Sequence, residues 1–169
     1  MEQRVMWVST QNLKNDTIIE NNAEDFILKP CIYDAHIVDL QNLLGERFYK
    51  HLVTATLGGT RTTDELTLTN TYMYNYLIKA SLYRAIPYLW VKFENSSLVL
   101  KKNETSDSIE YKDMQSLRSD TLNDVAFLKQ RLIDYLNQNI EKFPLFKDSV
   151  ECDVLQPNTN NYSRIGLYL

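Results

Sequence analysis

A chain of 169 residues, 44% hydrophobic and 24% charged, fits one globular domain with a core that needs no metal or disulfide staple. A net charge of -4 and a pI near 5.2 argue against a protein that wraps nucleic acid, because gripping phosphates takes clustered Lys and Arg. The sequence has no run of about 18 apolar residues and no basic, then apolar, leader at MEQRVMWVSTQN, so the chain is expected to stay in the compartment where it is made.

Glycine and proline are scarce, four of each, and therefore punctuate long regular segments. Residues 1–21 mix Val5, Met6, Trp7, Val8 and Leu13 with polar residues and show no sustained helical period, which suggests an N-terminal arm. Asn22 is a candidate N-cap, and Glu24 and Asp25 after it favour the positive end of a helix dipole. The helix they open should bury Phe26, Ile27, Cys31, Ala35 and Val38, with Pro30 kinking or restarting it. Beyond Gly45, ERFYKHLVTATL places Phe48, Leu52 and Ala55 at helical spacing, and Gly58 supplies a stop.

The segment from about Thr63 to Phe93 is the longest and most apolar. Leu66, Met73, Leu77 and Ala80 form one stripe, and Leu82, Ile86, Leu89 and Phe93 form another. Tyr72, Tyr74, Tyr76, Tyr83 and Tyr88 fill between them, the pattern of a central helix that Pro87 interrupts. SLVLKKN, residues 97–103, alternates briefly and pairs on paper with SIEY, residues 108–111, as a β-hairpin. An acidic stretch then leads into a last helix from about Met114 to Lys142, with Leu117, Val125, Leu128, Leu132, Leu136 and Ile140 on one side and Pro144 as its end. Residues 145–169 are Asn-rich and finish on Ile165, Leu167, Tyr168 and Leu169, a second arm.

The expected fold is therefore mainly α: a compact bundle of about four helices over residues 22–144 with a small β-hairpin element in an insertion at about 96–112. Arms of residues 1–21 and 145–169 extend from it.

Chemistry-bearing patterns are thin. His36 and His51 sit on different expected helices, and neither belongs to a ligand-spaced motif with Cys31 or Cys152. Two cysteines in a chain of this size fit a reducing compartment. Leu57-Gly58-Gly59-Thr60 lacks the Lys of a phosphate loop, and no nucleophile-elbow signature occurs. The carboxylate pairs Glu24 with Asp25 and Glu20 with Glu24 read as caps and solvated charge. No catalytic residue, metal or cofactor is expected. Eleven tyrosines divide between core filling and interface, where an aromatic body with a hydroxyl is favoured.

FILKPCIYDAHIVDLQNLLGERFYKHL, residues 26–52, resembles the helical head-to-tail connector proteins of tailed bacteriophages, through Ile32, Ala35, Leu44, Gly45, Tyr49 and Leu52. STQNLKNDTIIENN, the aromatic helix ending near Pro87, SLVLKKN and NTNNYSRIGLYL are similar to the version found in crAss-like and other Bacteroides phages. His36 departs from the family pattern, which often has Gln after the Ala.

The resemblance implies a virion structural protein at the portal vertex or neck, made in the bacterial host cytoplasm. It would form a ring of about twelve copies, closed by heterologous contacts. Its implied partners are other copies of itself, the portal protein and an adjacent tail or ring protein, with DNA passing through the channel and no membrane contact. Expected interface residues are Trp7 and Val8 in the first arm, Leu98 and Val99 in the β element, and Tyr162, Ile165, Leu167 and Tyr168 in the tail. A helical regulatory module that takes a partner helix between the third and last helices is the alternative, and a small enzyme using Glu or Asp with Tyr is a third.

Overall fold

The computed structural model describes residues 5–19, 21, 23–94, 97–100 and 111–146. The chain is mainly helical, with α1 at Thr10–Asn15, α2 at Asp25–Asp34, α3 at Gln41–Leu44, α4 at Glu46–Gly58, α5 at Thr63–Thr67, α6 at Tyr74–Trp90 and α7 at Tyr111–Gln138. Two π-helical segments join neighbours without a break: Ala35–Leu40 links α2 to α3, and Leu68–Met73 links α5 to α6. A 3-10 turn at Ile140–Lys142 follows α7. Helix α6 packs against both α2 and α7 and touches both π segments, α1 and the following strand.

The π segments decide which residues face the core. Leu28, Ile32, His36, Leu40 and Leu44 are all buried at steps of four, and so are Glu65, Thr69, Met73, Leu77, Ser81 and Ala85. In an unbroken α-helix each such step overshoots a 3.6-residue turn by about 40°, so four steps would carry the row to about 160° from its start. A wider π turn takes up an extra residue and brings the row back. This shifts the phase expected from a plain helical period. Phe26, Val38 and Leu66, expected inside, are exposed, whereas Cys31, Ala35, Met73, Leu77 and Ala80 are buried.

Helix ends correct several other expectations. Helix α2 begins at Asp25 with Glu24 as its N-cap, and Asn22 lies outside the described residues. The helix continues through Pro30, which gives up a single backbone bond. Between α3 and α4, Gly45 holds φ 80 and ψ 154, a conformation open only to glycine. At the far end of α4 the left-handed residue is Gly59 rather than Gly58. The Thr60 N–H donates to the Ala55 carbonyl at 2.9 Å and the Gly59 N–H to that of Thr56 at 3.4 Å, the Schellman arrangement.

The segment expected as a free N-terminal arm folds onto its own domain. Ser9 caps α1 in a reciprocal capping box with Asn12, Leu13 is buried, and Lys14 and Thr10 reach Asp25 at 2.7 and 3.0 Å. The Lys14 and Thr10 hydrogen bonds hold the Asp25 carboxyl below its usual range. The Asn12 amide donates to the Tyr74 hydroxyl at 3.1 Å, so α1 is tied to α6 as well.

The hairpin expected between residues 97–103 and 108–111 is not supported. Ser97–Leu100 pairs antiparallel with Val91–Glu94, where the central helix was expected to run on to Phe93, and Tyr111 opens α7. Residues 101–110 lie outside the described residues. After α7, Phe143 and Phe146 close on Phe48 of α4 at 5.7 and 5.8 Å between ring centroids, and Lys142 pairs with Asp64 at 2.9 Å. The chain after Pro144 therefore starts by packing on the bundle.

Two substitutions test this account. Gly45→Ala forces a side chain into the mirror-β region and should lower unfolding stability by about 1 to 3 kcal/mol in urea denaturation. Ser81 is fully buried on the core row, and among the described residues its hydroxyl has no hydrogen-bond partner. Ser81→Ala should therefore raise stability by about 1 kcal/mol, and a loss would show that the hydroxyl is satisfied in solution.

Candidate functional site

Among the described residues, three polar constellations tie the helices together. At the first π segment the His36 ring is 1% exposed. Its Nδ1 lies 2.8 Å from the Ile32 carbonyl and its Nε2 accepts the Trp7 backbone N–H at 3.2 Å. Only the neutral imidazole with its proton on Nδ1 makes both bonds. Trp7 stacks on the ring at 5.6 Å and 7°, meets Tyr49 edge-on, and donates its indole N–H to the Thr56 hydroxyl at 3.3 Å.

The same π segment carries Asp39, which takes both arms of Arg84 from α6 at 2.7 and 2.8 Å. Hydrogen bonding to Asp39 raises the Arg84 guanidinium further. Burial, with the Asp39 charge behind it, pushes the Tyr76 phenol upward, so that group stays neutral.

The third constellation joins α4 to α5. His51 Nε2 lies 2.6 Å from Glu65 Oε1, while Glu65 Oε2 accepts the Thr62 N–H at 2.8 Å in a capping box. Burial pushes the Glu65 carboxyl up, but the Thr62 and His51 hydrogen bonds outweigh it and leave the group below its ordinary value.

None of these is assembled as a metal centre. Among the described residues no three His, Cys, Asp or Glu side chains converge. Cys31 is buried and donates toward the Ile27 carbonyl, and burial followed by the Asp34 charge pushes its thiol up to about 11. That is the reverse of what a reactive thiolate needs. Among the described residues no helix is long and apolar enough to cross a membrane.

Large exposed apolar residues occur at several places in the chain, among them Ile18, Leu57, Leu66 and Tyr88, and two of the helices each carry more than one. On α2 and its π extension Phe26 is 70% exposed, and Ile37 and Val38 are also open. On α7 Phe127 is 64% exposed, with the Arg131 guanidinium 5.9 Å over its ring, and Leu117 is open one flank away. Arg84 of α6 reaches the π extension of α2, whereas Lys79 and Tyr83 of α6 reach Asp124 and Arg118 of α7, so the two helices cover different faces of α6.

Of the expected interface residues, Trp7 is half-buried and Val8 is 0% exposed, both packed in their own domain. Their place there follows from the His36 and Thr56 contacts, which a period search cannot see. Leu98 and Val99 lie on the second strand, opposite Phe93 and Lys92. Tyr162, Ile165, Leu167 and Tyr168 lie outside the described residues. Phe26, Ile37, Val38 and Phe127 were missed as surface. Phe127 stands off the Val125, Leu128, Leu132 row, and that was the available signal.

This architecture defines a mainly helical domain built on one central helix. The chain belongs to DUF6712, a family of unknown function, whose match spans residues 40–155, from the end of the first π segment past α7. No curated protein and no solved structure matches it.

Two measurements test the polar constellations. A double-mutant cycle of Asp39→Asn and Arg84→Gln should give a coupling of about 1 to 3 kcal/mol, because the pair is half-buried and bidentate. The depressed Glu65 carboxyl adds stability that is fully present above pH 4.5 and is lost as pH falls through its folded value. The stability gap between the native chain and Glu65→Gln should therefore narrow steadily from pH 5 to pH 3, and a constant gap would contradict it.

Proposed function

We propose that this chain is a virion structural protein of a tailed bacteriophage, a ring-forming connector that docks on the portal vertex, extends the DNA channel and gives the tail its platform. The observation that carries the proposal is that two large aromatic side chains on separate helices, Phe26 on α2 and Phe127 on α7, stand 70% and 64% exposed. A closed ring of identical subunits needs two different patches on every copy, one complementary to the other. A lone exposed apolar residue needs no explanation, but large aromatic side chains this open are the type that anchors interfaces.

The resemblance of residues 26–52 to connector proteins points the same way, and its Gly45 falls where the structure demands a glycine. Partners are other copies of this chain, the portal protein and an adjacent tail or ring protein. The net charge of -4 suits a wall past which DNA slides. The small β element and any contribution of residues 145–169 to ring contacts belong to the same proposal.

The alternative of a regulatory module needs a groove for a partner helix between α6 and α7. Among the described residues Thr71, Tyr72, Asn75, Leu128 and Arg131 line a small opening near this seam, of about 10 Å3, which by itself supplies no such groove.

Sedimentation of the purified chain with its portal protein tests the proposal. Ring-sized assemblies are expected, and Phe26→Asp or Phe127→Asp should disperse them while changing monomer stability by no more than about 0.5 kcal/mol. A monomer under all conditions, with the chain missing from purified virions, would refute it.

A further inference from the structure

We infer that His36 is a proton-operated latch on the N-terminal segment: its neutral ring holds Trp7 and Val8 against the bundle, and its protonation releases them while the rest of the bundle stays folded. Besides the burial of Val8 and the edge contact of Trp7 with Tyr49, three contacts keep the segment closed. The Trp7 N–H donates to Nε2, the indole stacks face to face on the imidazole, and the indole N–H donates to Thr56. The first depends on a lone pair. A proton arriving from solvent forms an N–H bond at Nε2 and consumes that pair, so Nε2 and the Trp7 N–H become two donors pointed at each other.

Nδ1 cannot take over, because its proton already serves the Ile32 carbonyl. The indole face then meets a cation, which it attracts, but the charge stays buried and among the described residues the new Nε2–H faces a donor rather than an acceptor.

Among the described residues no carboxylate offsets the charge on the ring. On α4 the titratable group at this site is Tyr49, whose ring meets Trp7. On α6, Arg84 is paired with Asp39, and Tyr76 is held neutral. On the histidine's own helix are Cys31, with its raised thiol, Asp34, and Asp39, which Arg84 occupies. The balance on the imidazole is set first by burial and then by the Ile32 carbonyl, and burial leaves it below the ordinary 6.5.

The opening has a built-in limit. Ser9 caps α1, Leu13 is buried, and Asn12 bonds Tyr74, so the chain from Ser9 onward is anchored independently of His36. What comes free is the stretch ahead of Ser9 that carries Trp7 and the fully buried Val8. The sign follows from linkage. The closed state favours the neutral ring, so closure is fully supported above pH 6.5 and weakens as pH falls below it. The open-to-closed ratio should rise by up to about tenfold per pH unit below 6.5 for as long as the closed ring stays neutral.

The test uses the full-length chain with Trp90→Phe, which leaves Trp7 as the single tryptophan. Its emission should move to the red between pH 6.5 and 4.5 with no change in the helical circular-dichroism signal. The shift should be absent in the additional variant His36→Gln, whose amide oxygen can accept the Trp7 N–H but takes no proton. No red shift by pH 4.5, an equal shift in the Gln variant, or loss of helical signal in step with the emission would each overturn the latch. Should the Gln variant not fold, the His36 ring-proton NMR shift in the Trp90→Phe chain decides: a midpoint shared with the emission change supports the latch, and a separate midpoint rejects it.

Discussion

The fold rests on keeping two buried rows straight. Leu28 to Leu44 and Glu65 to Ala85 advance by four residues at every step, faster than an α-helix turns, and the two π segments absorb the excess. Without that correction the buried row would rotate away from the core before it reached Leu44, and Asp39 would leave the flank that Arg84 reaches. With it, Asp39 is delivered to the flank where Arg84 waits, and His36 stays inside, where Trp7 can cover it. The π segments therefore connect packing to every polar constellation that touches α2.

This constraint also marks what was legible in the sequence. Phe48, Leu52 and Ala55 on α4, and Leu132 and Leu136 on α7, follow an ordinary helical period and are buried as that period requires. Mainly helical character was legible for the same reason. Phe26, Val38 and Leu66 were assigned to the core because a 3.6-residue period was carried through segments that do not obey it. A run of apolar residues at strict fours, such as Leu28, Ile32, Leu40 and Leu44, was the sign available.

The N-terminal region failed differently. Six residues of α1 are too few to show a period, and its order comes from a capping box and contacts with Asp25 and Tyr74 that are distant in sequence. The β element was misplaced because a four-residue strand carries almost no pattern, and Val91–Glu94 reads equally well as the end of an apolar helix. Tyrosines divided as their chemistry allows: Tyr76 is core, Tyr72 and Tyr135 stack at 4.1 Å between α7 and the second π segment, and Tyr88 is open to solvent.

Function is carried by surface, not by a reaction centre, in the account proposed here. Bundle packing uses one side of α2 and α7 and leaves aromatic residues on the other, and repeated copies of one chain are the simplest arrangement that covers both. Cryo-electron microscopy of the virus particle that encodes this chain, with the portal vertex resolved to side chains, tests that claim most directly. The account predicts this helical fold repeated in a ring beneath the portal, with the Phe26 and Phe127 surfaces buried between neighbours. Absence of the fold from the vertex and the rest of the particle would contradict it.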